Sequence, residues 1–241
     1  MIPPEALLIA KLALVAASMW GASLLARRYG HAVSGALAGL PVIVGPIMAM
    51  LLVDLPAERV RGIALATLVC EPAMLAHIVV FANAARRFSW PLCLALATLV
   101  FVGVAAALAH LDWGAAAASA LALVALAVAA RALPTSGAAA DAPVPVPRSE
   151  LVWRIAVALA IAGSVLPCFT LPRHGPQATA RLLAGFVRGQ SGFVAFFIVL
   201  IALLPHAPKA VAFGAAVAAA LAAPLALRRW TTSARVRRIA G

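Results

Sequence analysis

Apolar runs about twenty residues long recur from one end of this 241-residue chain to the other, mostly separated by short connections. About twenty residues of helix cross the hydrocarbon of a bilayer, because each residue advances the helix by about 1.5 Å. A soluble core has no use for that much apolar surface. Here 65% of residues are hydrophobic, 11% are charged and the mean hydropathy is +1.07, against roughly 25% charged in soluble domains. The chain reads as an all-α, polytopic transmembrane helix bundle, multi-pass in a cell inner membrane.

Hydropathy and punctuation place eight spans at about 6–26, 31–53, 61–84, 90–109, 113–132, 150–169, 177–204 and 207–227. Near the N-terminus, two prolines and an acid stand where a secretory signal would be basic, so the first run reads as a retained span. The stretch "PTSGAAADAPVPVPRSE" reads as a Pro/Ala-rich linker. It gives a first part of five spans (1–133), a linker (134–149) and a second part of three spans with a basic tail (150–241).

The two parts carry an internal similarity. Residues 25–40 align without gaps on 171–186, with Leu25, Arg27, Ala32, Leu37, Ala38 and Gly39 recurring as Leu171, Arg173, Ala178, Leu183, Ala184 and Gly185. Five spans separate corresponding points in the eight-span count, so the second copy would be inverted. The expectation is a degenerate inverted repeat in which the helices holding Ser34–Leu51 and Arg181–Leu200 run antiparallel and meet near the bundle centre.

Net charge is +12. On a soluble chain that would point to nucleic acid, but here the basic residues cluster at span ends, as Arg27/Arg28, Arg59/Arg61, Arg86/Arg87 and Arg228 through Arg238. Their partner is the lipid bilayer. Trp90, Trp113, Trp153 and Trp230 also fall at span ends, as an interfacial belt requires. The basic tail argues for a cytoplasmic C-terminus, yet eight spans distribute Lys and Arg almost equally between the two sides. Cys70, Cys93 and Cys168 lie in or beside apolar segments and imply no disulfide framework.

Three features carry candidate chemistry. The first is "SGALAGLPVIVGPIMAML", where Gly39, Pro41, Gly45 and Pro46 fall within eight positions of an apolar span. A break there frees backbone groups that only protein or water can satisfy, and paired broken helices bind substrate in many transporters. Close helix packing explains the small residues equally well. The partner in the second part is the span with Gly185, Gly189 and Gly192.

The second feature is Glu71, followed by Pro72 and about eleven residues from either end of its span. An ionised group there costs about 2.5–3.5 kcal/mol on insertion scales, so it faces the bundle interior, pairs with a cation or stays protonated. The third is a basic stripe: Arg181 and Arg188 share a helix face, with Gln190 and Ser191 beside Arg188. Arg188 is expected to pair with Glu71 or to anchor an anionic substrate. Cys70, Met74 and His77 share one face that could hold Cu(I), but as core fillers they need no metal. No nucleophile–base, HExxH, CxxC, Walker or dinucleotide motif is present, so neither enzymatic activity nor a cofactor is implied.

The pattern "RRYGHAVSGALAGLPVIVGPIMAMLL", a basic pair followed by a small-residue helix with a Gly-Leu-Pro break, resembles the GlpM-like family of small integral membrane proteins. The resemblance covers about the first 110 residues. It extends loosely to the second copy, where Val187 stands in place of Pro41 and Gly192 in place of Pro46. It implies an envelope-related role and brings no catalytic residues.

The residues together lead to a small permease for an anionic or zwitterionic small molecule, proton-coupled through Glu71. Its site draws on Glu71, Arg188, Arg181, Gln190, Gly39, Pro41, Gly45 and Pro46. Eight helices are few for a complete transport path, which points to a homodimer. The alternative is a non-catalytic accessory or scaffold for cell-envelope (exopolysaccharide) assembly, packed within a larger envelope complex. Depth and facing discriminate the two: a permease turns its polar residues inward at mid-bilayer, whereas a scaffold leaves polar and small residues on a lipid-facing seam.

Overall fold

The computed structural model describes residues 31–41, 44–134 and 165–239, and every regular element among them is an α-helix. In chain order these are α1 (His31–Gly39), α2 (Val44–Asp54), α3 (Ala57–Ala84), α4 (Trp90–Ala109), α5 (Ala115–Ala132), α6 (Val165–Leu203) and α7 (Lys209–Ile239). Six stretches are long and apolar enough to cross a membrane: Gly35–Asp54, Ala57–Ala84, Trp90–Ala109, Ala115–Ala132, Gly175–Leu203 and Lys209–Ala226. They correspond to six of the eight expected spans. The span expected at 6–26, the linker and most of the span expected at 150–169 lie outside the described residues.

Local chemistry sets the helix ends. Pro56 and Pro208 immediately precede α3 and α7, Ser89 precedes α4 with Pro91 in its first turn, and Gly114 precedes α5. Glu58 in the first turn of α3 and Arg131 in the last turn of α5 both oppose the helix dipole. Within α6, Gly175 takes φ 77°, a left-handed conformation that glycine alone adopts at little cost, and the helix bends there. The helix α3 runs on through Pro72.

Directions follow from the contacts between helices. Arg61 at the start of α3 donates from Nε to the Ile201 carbonyl near the end of α6 at 3.3 Å, so α3 and α6 are antiparallel. Asn83 at the end of α3 donates to the Ala132 carbonyl at the end of α5 at 3.1 Å, so those two helices finish at the same end of the bundle. Gly192 of α6 lies against the Ala220 backbone of α7, while the start of α7 sits beside the end of α2, which makes α7 antiparallel to α6.

Between α1 and α6 the sequence expectation fails. Gly185 rests on the Ala32 backbone and Gly189 on Ala36, while Gly35 and Gly39 rest on Leu182 and Phe186. A step of four residues along one helix matches a step of four along the other in the same direction. The two helices are therefore parallel, and inversion does not relate them. They do meet inside the bundle, as expected.

Without water to expel, helices in lipid associate through van der Waals packing and polar contacts, and small residues allow the closest approach. The core is accordingly lined with alanine, in two clusters. One joins Met48, Leu52, Val60, Ala64 and Leu68 to Phe196, Phe197 and Leu200. There Phe196 stands edge-on to Phe197 and to Phe213, at 5.3 and 5.9 Å, locking α6 to α7. The other joins Leu75, Ile78 and Phe81 to Cys93, Ala97, Leu183 and Val187.

At the first cluster's end of the bundle, cations close helix termini. Lys209 Nζ donates to the Leu52 and Leu55 carbonyls at the end of α2, both at 2.8 Å, satisfying acceptors that have no partner within the helix. Lys209→Met is expected to cost about 2 kcal/mol by losing these charge-assisted bonds. Thermal denaturation in detergent would register it as a lowered midpoint.

Candidate functional site

The two apolar clusters leave a gap between them, and the gap is polar. On α3 the first cluster ends at Leu68 and the second begins with Leu75, with Glu71 between. On α6 the first begins at Val194 and the second ends at Val187, with Gln190 and Ser191 between. Glu71 and Gln190 are each 3% exposed, and Ser191 is buried with them. The Arg61–Ile201 bond sets the register: ten residues on from Arg61 is Glu71, and ten residues back from Ile201 is Ser191. These residues therefore share one level, about 15 Å in from that bond.

The helix break reaches the same level. The helix α1 stops at Gly39, and a side chain there would come within 3.0 Å of the Gln190 amide nitrogen and of Gly189 Cα. The Leu40 amide bonds back to the Ala36 and Leu37 carbonyls at 3.2 and 3.3 Å, and the Gly45 amide to the Pro41 carbonyl at 2.7 Å. The described part of the interruption is Leu40 and Pro41; Val42 and Ile43 lie outside the described residues. Pro41 ends α1 because it has no N–H to continue the ladder, whereas Pro46 sits in the first turn of α2, where none is needed. Gly45 is buried, and a side chain there would meet no atom of the described residues within 4 Å.

Glu71 faces this layer with one carboxyl oxygen, Oε1, lacking a hydrogen-bond partner among the described residues. Ser191 is satisfied locally, its hydroxyl donating to the Arg188 carbonyl at 2.6 Å. Arg188 does not join the layer. Its side chain is exposed while Glu71 is buried, so the expected ion pair is absent. Two residues along a helix turn the side chain by about 200°, and turning Gln190 inward carries Arg188 outward. Arg181 is partly buried and lies nine residues before Gln190, about 14 Å along the helix and below the layer.

Of the residues singled out in the sequence, the structure brings Glu71, Gln190, Gly39 and Pro41 to one level, with Gly45 and Pro46 opening α2 beside it. It separates Arg181 and Arg188 from them. Thr179 is fully buried without having been anticipated, and its hydroxyl donates to the Gly175 carbonyl four residues back at 3.0 Å. That is a role within its own helix, which no spacing in the sequence signals. His77 is buried against the Ala97 backbone and edge-on to Phe101 at 6.4 Å. Among the described residues no three His, Cys, Asp or Glu side chains are grouped to hold a metal.

An inward polar layer crossed by a helix break can hold a small polar solute or a proton in an otherwise apolar bundle. Compared with protein-family models, curated proteins and solved structures, the chain matches none.

Proposed function

We propose that this chain is a small inner-membrane permease whose solute and coupling proton pass through the layer of Glu71, Gln190 and the helix break after Gly39. The observation that carries the reading is Glu71: a carboxyl 3% exposed, with an oxygen lacking a partner among the described residues, level with an interrupted helix. Such a group costs stability in a merely structural bundle, and intramembrane acids of this kind mark ion and proton pathways. Glu71 takes up and releases the proton, and Gln190 offers an amide to the solute. With Arg188 turned outward, the layer itself favours a cationic or zwitterionic solute over a purely anionic one.

The scaffold reading draws on a separate observation. Arg188 lies near the middle of its span and is exposed, on a face it shares with Ala184 and Ala195, which is how a seam for another membrane helix looks. The resemblance to the GlpM-like family fits that reading, with a partner in an envelope complex.

Water access separates the two. In a Cys70→Ala background, Glu71→Cys is expected to react with a small water-soluble thiosulfonate, because a permeation path admits water to the layer. A Glu71→Cys thiol that stays unreactive in the native membrane and reacts only after denaturation would favour the scaffold.

A further inference from the structure

The two ends of the bundle differ in charge. One end gathers the close of α3, the start of α4 and the close of α5, and exposes Arg86, Arg87 and Arg131 with no acid among the described residues there. Arg27 and Arg28 precede α1 in sequence by four and three residues, and Arg228 and Arg229 follow the apolar window of α7, which runs toward the same end. At the opposite end Arg59, Arg61 and Lys209 are matched in number by Asp54, Glu58 and Asp112. Arg61 and Lys209 are further occupied there with the carbonyls of α6 and α2.

Below the basic end, a shallow, wide-open apolar groove of about 520 Å³ lies along one face of α4, lined among the described residues by Trp90, Pro91, Leu94, Thr98, Leu99 and Val102. It starts three residues after Arg87, across the turn that connects α3 to α4. Arginines at the membrane surface, a tryptophan at headgroup depth and a shallow apolar face beneath them match, in order, the phosphate, interface and acyl chain of a lipid.

We propose that this groove is a binding site for an anionic phospholipid of the cytoplasmic leaflet, with its headgroup on Arg86 and Arg87 and an acyl chain along Trp90 to Val102. The proposal fixes the orientation of the bundle: the basic end is cytoplasmic and the Asp54–Asp112 end faces outward, because Lys and Arg are retained on the cytoplasmic side. It is independent of what the Glu71 layer carries.

The test uses Trp90 as reporter. In the full chain with Trp20, Trp113, Trp153 and Trp230 replaced by phenylalanine, Trp90 fluorescence is quenched by brominated phosphatidylglycerol or brominated phosphatidylcholine in vesicles. The expected result is a preference of about five-fold or more for phosphatidylglycerol, falling toward one in Arg86→Gln/Arg87→Gln. Equal quenching by the two lipids, a preference that survives loss of both arginines, or no quenching by either because a second copy covers the groove, would each overturn it. Two further readouts avoid the multiple substitutions. The unaltered protein should melt higher in nanodiscs containing phosphatidylglycerol than in phosphatidylcholine alone, and Ser89→Cys should react with an impermeant maleimide only after cells are opened. Identical melting in the two lipids, or labelling of Ser89→Cys in intact cells, contradicts the proposal.

Discussion

Gly185→Leu is expected to be the most damaging single substitution in the described part of the chain, lowering stability by roughly 3 kcal/mol or more. A Cβ at Gly185 would collide with the Ala32 carbonyl and lie 3.1 Å from Ala32 Cα, and helix backbone cannot swing aside as a long side chain can. The same holds at Gly39 against Phe186, at Gly35 against Leu182 and at Gly189 against Ala36, so the whole α1–α6 contact rests on four glycines spaced in fours. Gly103 and Gly214 provide the control. Nothing lies within 4 Å of a side chain at either position, and alanine there should leave the protein unchanged or slightly stabilised, by up to about 1 kcal/mol from helix propensity. Thermal denaturation in detergent, followed by far-ultraviolet circular dichroism, compares the set directly. Gly185→Leu melting alongside Gly214→Ala would show that α1 and α6 do not touch.

Glu71→Leu is expected to act in the opposite direction on stability while removing function. Leucine of similar volume leaves no carboxyl oxygen without a partner in the core, a relief of about 1–3 kcal/mol, and a raised melting midpoint would record it. The same change deletes the one group among the described residues of the layer that can exchange a proton. A rise in stability with a loss of function marks a residue kept for chemistry, and Glu71→Gln, which preserves shape, should be close to neutral in stability and equally inactive. Because Arg188 is exposed and does not meet Glu71, Arg188→Ala should add independently to any Glu71 variant, with a coupling energy within about 0.5 kcal/mol of zero. A strong coupling would restore the ion pair that the sequence led one to expect. Destabilisation by Glu71→Leu would mean that the carboxyl has a structural partner.

Helical class, the positions of six spans and most helix ends were readable directly among the described residues. Membrane insertion depends on composition summed over about twenty residues, and proline and glycine punctuate the backbone whatever lies around them. Hence Trp90–Ala109 matches the expected span to the residue, and the interruption after Gly39 falls within the Gly39–Pro46 stretch where a break is expected. The depth of Glu71 was legible for the same reason, being a count of residues from each end of a span.

Relations between helices were not readable in that way. Gly39 and Gly185 aligned in sequence, but alignment does not say whether the helices carrying them run together or opposed. That depends on the number of crossings between them and on the face each turns to the other, and the structure makes the pair parallel through Gly35, Gly39, Gly185 and Gly189. Arg188 and Gln190 are two residues apart and look equivalent in sequence; only the packing of α6 against α1, α3 and α7 decides that Gln190 points in and Arg188 out. The sequence by itself determined helices long and apolar enough to cross a membrane, a broken span and a deep acid among the described residues, because those are local properties of composition and backbone. The tertiary structure alone decided which polar groups share a level and which end of the bundle is basic, because both follow from the directions and rotations of helices fixed by contacts far apart in the chain.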